Sequence, residues 1–259
     1  MNGSLPYEPP TDLEGCADVF NVGRWHGRCI TTLGAYNVLA SLAETPGALE
    51  ALKESRRVIG LRGELSASER ESAEVKALLD AYCAEVGHAV DHYATMMIVA
   101  GATIIENMLM EYFVACFYAK PMAMYAYLQR TEERGTAMSL NEVLAASDIR
   151  ELHGKLALRA AKQAINGNAA RVLDRAGAAT GYTVPQSLSK RVESVTTRRN
   201  KVVHDGVTYF RQDNEVAEVF DVALELLRHL ATSCRHAEIP YLDPGLLIDD
   251  WGPLPEGPP

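Results

Sequence analysis

The chain has 259 residues, of which 47% are hydrophobic and 23% are charged, and its formal net charge at pH 7 is −9. This apolar content is ample for the core of one large domain, or of one domain with an extension. The negative net charge argues against a protein that simply coats nucleic acid.

The charge is unevenly distributed. Residues 150–211 contain 12 Lys and Arg against 4 Asp and Glu, a net charge of +8, which leaves −17 for the rest of the chain. A basic half could meet phosphate groups while the acidic remainder limits non-specific binding. Alternatively, these cations pair with acidic helices of the same fold.

The cysteines and the N-terminus predict a cytoplasmic protein. The five cysteines are odd in number and none is in a C-x-x-C spacing, and Cys83 and Cys116 lie in apolar runs typical of buried small side chains. The first residues have neither the basic nor the apolar region of a secretion signal. The most apolar run, residues 94–105, is too short to span a bilayer, so we expect no membrane segment.

The N-terminal part predicts an arm followed by short helices. Residues 1–20 are rich in Pro, Gly and acidic side chains and predict an irregular arm, which Trp25 and His26 could anchor. A helical pattern covers 31–44, and a second short one runs from Pro46 to near Gly60. We treat residues 1–64 as this N-terminal extension.

The longest helical pattern of the chain follows. Ser68 and Glu71 have the spacing of a capping box, and apolar residues then recur at steps of three and four before the pattern becomes apolar all round. It stops before Pro121. The pattern predicts one helix of about fifty residues, or two helices broken near Gly87 or Gly101.

Further helices follow in order. Residues 122–128 form a short apolar piece, and Ser139 with Glu142 is a second capping box, opening a helix to about residue 146. Residues 149–179 predict one basic amphipathic helix, strained at Gly167 and ended by Gly181.

Two more helices and a tail complete the chain. Pro185 begins a helix with an apolar stripe that includes Val203, and Asn214 caps a final helix that reaches His236. A proline-rich tail follows, with Trp251 as a possible anchor. No long strand pattern occurs, so we predict an all-α bundle over residues 65–238 and a tail over 239–259.

The helix that begins after Pro185 ends in a dense polar stretch, Arg198 to Gly206. Three cations, an amide and an imidazole fall within its first seven residues, and Gly206 is where a left-handed cap would lie. Arg199 and His204 are five residues apart, roughly 140° around a helix. They converge only if the helix end is kinked, or if a second copy of the motif faces the first.

The pattern Arg199-Asn200-x-x-x-His204 resembles the Arg-x4–6-His signature of the HEPN superfamily. This resemblance implies a small helical bundle and a metal-independent endoribonuclease without cofactor. It also implies a homodimer in which two motifs form one cleft that cleaves RNA. Many such proteins act in toxin–antitoxin or antiviral defence systems, so an antitoxin or regulatory protein is a further expected partner.

The motif residues suit RNA transesterification, in which the 2′-OH attacks the adjacent phosphorus. His204 can move protons near neutral pH, and the guanidinium fork of Arg199 can hold two phosphate oxygens. Asn200 can bind the phosphate or orient His204.

Other charged residues have supporting roles in this prediction. Arg198, Lys201, Lys190 and Arg191 would attract the RNA backbone. Glu106 interrupts the most apolar helix and must be paired or near solvent, so it could partner Arg199 or another cation.

Two other functions compete with this one. His88 and His92 have the i, i+4 spacing of metal ligands, with Glu85 one turn earlier, but no second cluster completes a metal-dependent hydrolase. The other alternative is a catalytically inactive HEPN-like module that binds a partner protein, in which Arg199 and His204 serve the structure.

Overall fold

The computed structural model describes residues 19–45, 47, 59–60, 63–64, 72–128, 139–210 and 214–243. The protein is mostly helical over these ranges, which confirms the all-α class. The helices are α1 (Val22–Glu44), α2 (Ala73–Ala119), α3 (Pro121–Leu128), α4 (Leu140–Ala145), α5 (Ile149–Ala164), α6 (Ala169–Thr180), α7 (Gln186–Asp205) and α8 (Glu215–His236). Two-residue strands pair β1 (Phe20–Asn21) with β4 (Tyr241–Leu242) in parallel, and β2 (Ile59–Gly60) with β3 (Gly63–Glu64) in antiparallel.

The 47-residue helix α2 is continuous, so neither Gly87 nor Gly101 breaks it. Its N-cap is Ser72, whose hydroxyl accepts a hydrogen bond from the backbone N–H of Val75. The predicted cap, Ser68, lies outside the described residues. The true cap is the serine whose oxygen reaches a free N–H of the first turn.

The core surrounds the C-terminal two-thirds of α2, which packs against α1, α5, α7 and α8. The segment Gly87–Ala119 is long and apolar enough to cross a membrane, and 61% of its most apolar stretch is buried inside the fold. This segment is longer than the apolar run of residues 94–105, whose shortness was the reason to expect no membrane segment. A central helix covered on several sides has this same composition.

Helix α1 belongs to this core, although the sequence assigned it to an N-terminal extension. Phe20, Trp25 and Tyr36 are buried in the same cluster as α2 and α8. The helix begins at Val22 rather than near residue 31, because the side chain of Asn21 accepts from the N–H of Arg24 and caps it there. Trp25 is thus part of the bundle rather than an anchor for an arm.

Contacts along α2 fix the direction of its neighbours. α1 is antiparallel to it, since the N–H of Asn21 donates to Oε1 of Glu111 at 2.7 Å while the rings of Tyr36 and Tyr93 lie 6.2 Å apart. α8 is parallel to α2. Val219, near the start of α8, lies against Gly101, and Ser233, near the end of α8, lies against Tyr112 further along α2. The beginning of α1 and the end of α8 therefore lie at the C-terminal end of α2.

Residues 149–180 form two helices where the sequence predicted one, so that prediction was wrong. Gly167 has φ +118, outside the helical region, and the side chain of Asn168 caps the second helix at the N–H of Arg171. Arg175 donates to the carbonyl of Ala164 at 2.8 Å and holds the turn.

Most predicted helix ends are confirmed. The capping box of Ser139 and Glu142 is present, and Gly181 and Gly206 end their helices in the left-handed conformation. Asn214 lies at the predicted N-cap, but its φ is +56 and its side chain makes no capping bond. The predicted arm before residue 19, the segment 48–58 of the predicted second helix, and Trp251 with the tail from 244 onwards lie outside the described residues.

Two buried polar clusters tie the helices together. Arg24 of α1 forms an ion pair with Glu111 of α2, and both side chains are buried. The hydroxyl of Tyr112 lies 2.7 Å from Oγ of Ser233 on α8 and donates to Thr180 of α6. Buried polar groups of this kind are costly unless they are paired, so these clusters fix how α1, α6 and α8 sit on α2.

The cysteine thiols within the described ranges behave as apolar side chains. Burial raises the pKa of Cys29 to about 11 and that of Cys116 to about 12. They therefore stay protonated at neutral pH, which confirms that Cys116 is a buried, unreactive thiol. The side chain of Cys83 lies outside the described part.

Replacing Gly101 by alanine is expected to lower the free energy of unfolding by about 1–3 kcal/mol, because overpacking a tight contact costs that much. A Cβ at this position would overlap Cγ1 of Val219. The control is Gly87→Ala in the same helix, where no atom lies within 4 Å of the new methyl group. That variant is expected to gain about 0.5–1 kcal/mol from helix propensity.

Urea denaturation followed by circular dichroism measures both variants. Adding Val219→Ala to Gly101→Ala makes room for the methyl group and is expected to recover part of the loss. Equal stability of the Gly101→Ala and Gly87→Ala proteins would contradict close packing of α2 on α8.

Candidate functional site at the end of helix α7

The motif lies at the end of α7 that is remote from β1 and β4. α7 is antiparallel to α8, as the ion pair of Arg198 with Glu215 near the start of α8 requires. The segment after the motif is pinned to α2, because Thr95 accepts from the N–H of Tyr209 at 3.0 Å and donates to the carbonyl of the same residue. One signal of this contact is visible in the sequence, namely a threonine inside the most apolar run.

Arg199 continues the buried stripe of α7. Leu188, Val192 and Val195 are buried along one face, and Arg199 follows Val195 by one turn and is half-buried. Its Nε is buried and has no hydrogen-bond partner among the described residues. An arginine with a buried stem can still bind an anion through the outer nitrogens of its guanidinium.

Asn200 contacts Arg199 rather than His204. Nη1 of Arg199 donates to Oδ1 of Asn200 at 3.1 Å. The amide therefore holds the guanidinium, and the orientation of His204 by Asn200 that the sequence suggested is not seen in the described part of the chain. The predicted apolar stripe also ends early, because Val203 is 53% exposed.

His204 is exposed in the last turn of α7, and the helix runs without interruption to Asp205. Gly206, with φ +66, ends it with its N–H bonded to the carbonyl of Lys201. Because the helix is not kinked, Arg199 and His204 stay on different faces, about 140° apart. Of the two ways in which the pair could converge, this leaves a second copy of the motif.

Two of the four cations predicted to bind RNA are instead paired with α8. Nη1 of Arg198 lies 2.5 Å from Glu215 and Nη2 lies 2.7 Å from Glu218. Arg191 pairs with Glu225 in the same way. The acidic face of α8 lies beside the basic face of α7, so these charges are offset within the fold.

Lys190 and Lys201 are exposed, and within the described ranges neither has an ion pair with α8. They remain available to attract phosphate. The basic character of α7 is therefore not offset by α8 at these two residues.

The remaining predicted site residues lie on α2. Glu106 is exposed, and the α7 cations that have ion pairs in the described structure pair with α8 rather than with it. His88 and His92 are exposed as well. No group of three or more metal-binding side chains occurs within the ranges that the structure describes.

A shallow hollow lies between α1 and α8, away from the motif. It is lined by His26, Leu224, Glu225 and Arg228. Burial lowers the pKa of His26, which favours the neutral imidazole. None of the motif residues lines this hollow.

Comparisons of this chain with protein-family models, with curated proteins and with solved structures give no match. The likeness to the HEPN superfamily therefore rests on the motif and on the helical architecture alone.

Proposed function

We propose that this protein is a metal-independent endoribonuclease of HEPN type. The observation that carries the proposal is the arrangement of Arg199, which lies half-buried on the inner stripe of α7 with its Nη1 held by Oδ1 of Asn200 at 3.1 Å. A group fixed in this way can bind a phosphate without reorganising. His204 stands in solvent one turn further on, where it can reach a bound RNA.

The reaction needs one proton acceptor, one proton donor and a cation. The 2′-oxygen attacks phosphorus and the bond to the 5′-oxygen breaks, which leaves a 2′,3′-cyclic phosphate and a 5′-hydroxyl. Neutral His204 accepts the 2′ proton, and a protonated His204 gives one to the leaving oxygen. Arg199 binds the non-bridging oxygens as negative charge grows, while Lys190 and Lys201 attract the backbone.

The geometry of α7 supports a dimer as part of this proposal. Arg199 and His204 of one chain lie on different helix faces, so a two-fold axis beside the motif would bring Arg199 of one copy towards His204 of the other. We expect a C2 dimer with the two His204 side chains near the axis. Light scattering at micromolar concentration should give twice the chain mass, and a monodisperse monomer would argue strongly against this assembly.

Cleavage of RNA is expected to persist in excess EDTA, since Arg199 and His204 supply the charge and the proton transfer. The control is the His88→Ala, His92→Ala double variant, which should cleave at the wild-type rate. The metal-dependent alternative would be supported if chelation abolished cleavage by the wild type, if zinc restored that cleavage, and if the double variant did not cleave at all.

A second candidate is a catalytically inactive module that binds a protein. It is favoured by the ion pairs of Arg191 and Arg198 with α8, which remove two cations from the surface that RNA would meet. For this candidate the wild type cleaves no RNA, and variants at Arg199 lose stability or a partner. A neighbouring gene that encodes an antitoxin would favour the nuclease over this module. We propose a cytoplasmic location for the nuclease.

A further inference from the structure

A large aromatic side chain is exposed just after the motif. Phe210 lies four residues beyond Gly206, the glycine that ends α7, and it is 48% exposed. Its neighbour Tyr209 is half-buried and packs against the core. The N–H and the carbonyl of Tyr209 are both hydrogen-bonded to the hydroxyl of Thr95 on α2, so the backbone is fixed one residue before Phe210. An exposed ring on a fixed backbone therefore borders the motif.

The path of the chain keeps this ring within reach of an RNA bound at the motif. The N–H of Val207 donates to the carbonyl of Lys201 at 3.2 Å, which turns the chain back at the end of α7. The three residues from Val207 to Phe210 span at most about 11 Å, so the backbone of Phe210 lies within about 16 Å of that carbonyl. Nucleotides of a stacked strand rise about 3.4 Å each, so about five of them cover this distance.

We propose that Phe210 is a base-stacking subsite of the motif, where its ring stacks on an unpaired nucleobase of the RNA whose phosphate Arg199 binds. This inference rests on the proposed cleavage of RNA, and it adds the class of substrate, which is single-stranded RNA. Aromatic side chains are the usual platforms for bases of single strands. The base on Phe210 belongs to a nucleotide near the scissile phosphate, because the ring is close to the end of α7.

Stacking adds a property that the cations of α7 lack. The exposed Lys190 and Lys201 attract the phosphate backbone of any nucleic acid. A flat ring binds only bases whose faces are free, since the bases of a duplex are already stacked on one another. Phe210 therefore restricts the substrate to unpaired RNA, and it does so for any base sequence because every base has a π-face.

The exposed apolar neighbours of Phe210 on the motif are aliphatic. Val203 is 53% exposed and Val207 is 36% exposed, and neither has a flat face on which a base can stack. A second copy of the chain would bury aliphatic and aromatic side chains alike, whereas a nucleobase requires the ring. The two occupants are therefore separated by replacing Phe210 with an apolar side chain that has no ring.

The probe is a short fluorescein-labelled 2′-O-methyl oligouridine, which cannot undergo transesterification because its 2′-oxygen is blocked, and anisotropy measures its Kd. We expect Phe210→Ala to raise the Kd at least about fivefold, which is the lower end of the contribution of stacking per base. Phe210→Leu should raise it similarly, and Phe210→Trp should bind at least as well as wild type. The matched control is Tyr125→Ala, an exposed aromatic position on α3 beyond the far end of α2, which should leave the Kd unchanged.

An abasic strand of the same length keeps the phosphates and lacks the bases, so all of these proteins should bind it alike. The subsite would be contradicted if Phe210→Ala bound the oligouridine as wild type does, if wild type did not bind it, or if the abasic strand lost affinity equally. Wild-type affinity of Phe210→Leu, together with a lower mass of Phe210→Ala in light scattering, would assign the ring to a second copy instead.

Failure of the nuclease is measured separately, with the unmodified oligouridine. A wild type that binds the blocked strand in a way that depends on Phe210, but leaves the unmodified strand uncut, would contradict the nuclease and support the subsite as a binding site. Cleavage by a wild type whose Phe210→Ala variant binds the blocked strand equally well would contradict the subsite and support the nuclease.

Discussion

Replacing Glu111 by alanine is expected to lower the free energy of unfolding by about 3–5 kcal/mol, because it leaves the buried cation of Arg24 without its carboxylate. Both side chains of this ion pair are almost fully buried, and the same carboxylate accepts the N–H of Asn21 at 2.7 Å. The loss therefore includes a backbone bond at the N-cap of α1 as well as the ion pair.

Two controls separate the buried charge from a general loss of packing. Glu225→Ala breaks the exposed pair with Arg191 and is expected to cost about 0–1 kcal/mol. The double variant Arg24→Met, Glu111→Leu replaces the ion pair by apolar groups and should recover most of the stability. Urea denaturation measures all three, and a Glu111→Ala protein within about 1 kcal/mol of wild type would contradict the buried pair.

Loss of RNA cleavage is the expected result for His204→Ala, with helical content and melting temperature nearly unchanged. The side chain is exposed in the last turn of α7, and a histidine there contributes only about 0.3–1 kcal/mol through the helix dipole. Its removal should therefore leave the fold intact, so that a loss of cleavage would report on the chemistry.

Arg199 should behave differently from His204 in one respect. Arg199→Ala is expected to lose cleavage, and Arg199→Lys should not fully rescue it, because an ammonium lacks the two-pronged geometry that binds two phosphate oxygens. Arg199 is half-buried on the inner stripe of α7, so its alanine variant also loses packing of the side-chain stem. Arg199→Lys keeps most of that stem and is the cleaner test of the guanidinium.

Local signals predicted the elements of the fold well. The boundaries of α4, the glycine ends of α6 and α7, and the end of α8 follow from capping residues and apolar periodicity, which act within a few residues. The position of α1 in the core could not be predicted in this way. It depends on Arg24 meeting Glu111 across 87 positions of sequence, a contact that no local pattern records.

Two glutamates of α2 differ in a way that local patterns did not predict. Glu106, the predicted site residue, is exposed, whereas Glu111 is buried with Arg24. The two are five residues apart and thus about 140° around the helix, so they lie on different faces of it. The apolar residues from 112 to 117 were the available signal that Glu111 lies inside.

At the candidate site, too, local features were predicted and contacts distant in sequence were not. The sequence located the end of α7 and its left-handed glycine, but the partners of Arg191 and Arg198 lie on α8, 17 to 34 positions away. Its positive charge beside the motif placed Arg198 among the predicted phosphate contacts, whereas its two ion pairs tie α7 to α8. Arg199 lies one turn after Val195 on the face of α7 that is buried. That this face is the buried one is seen only in the folded structure.

The most direct test of the proposed nuclease is a gel assay on labelled single-stranded RNA with wild type, His204→Ala, Arg199→Lys and, as the matched control, His92→Ala. Circular dichroism melts of the same four proteins check that each is folded. We expect wild type and His92→Ala to cleave the RNA to 2′,3′-cyclic phosphate ends, and we expect no cleavage by His204→Ala. Undiminished cleavage by a well-folded His204→Ala protein would contradict it.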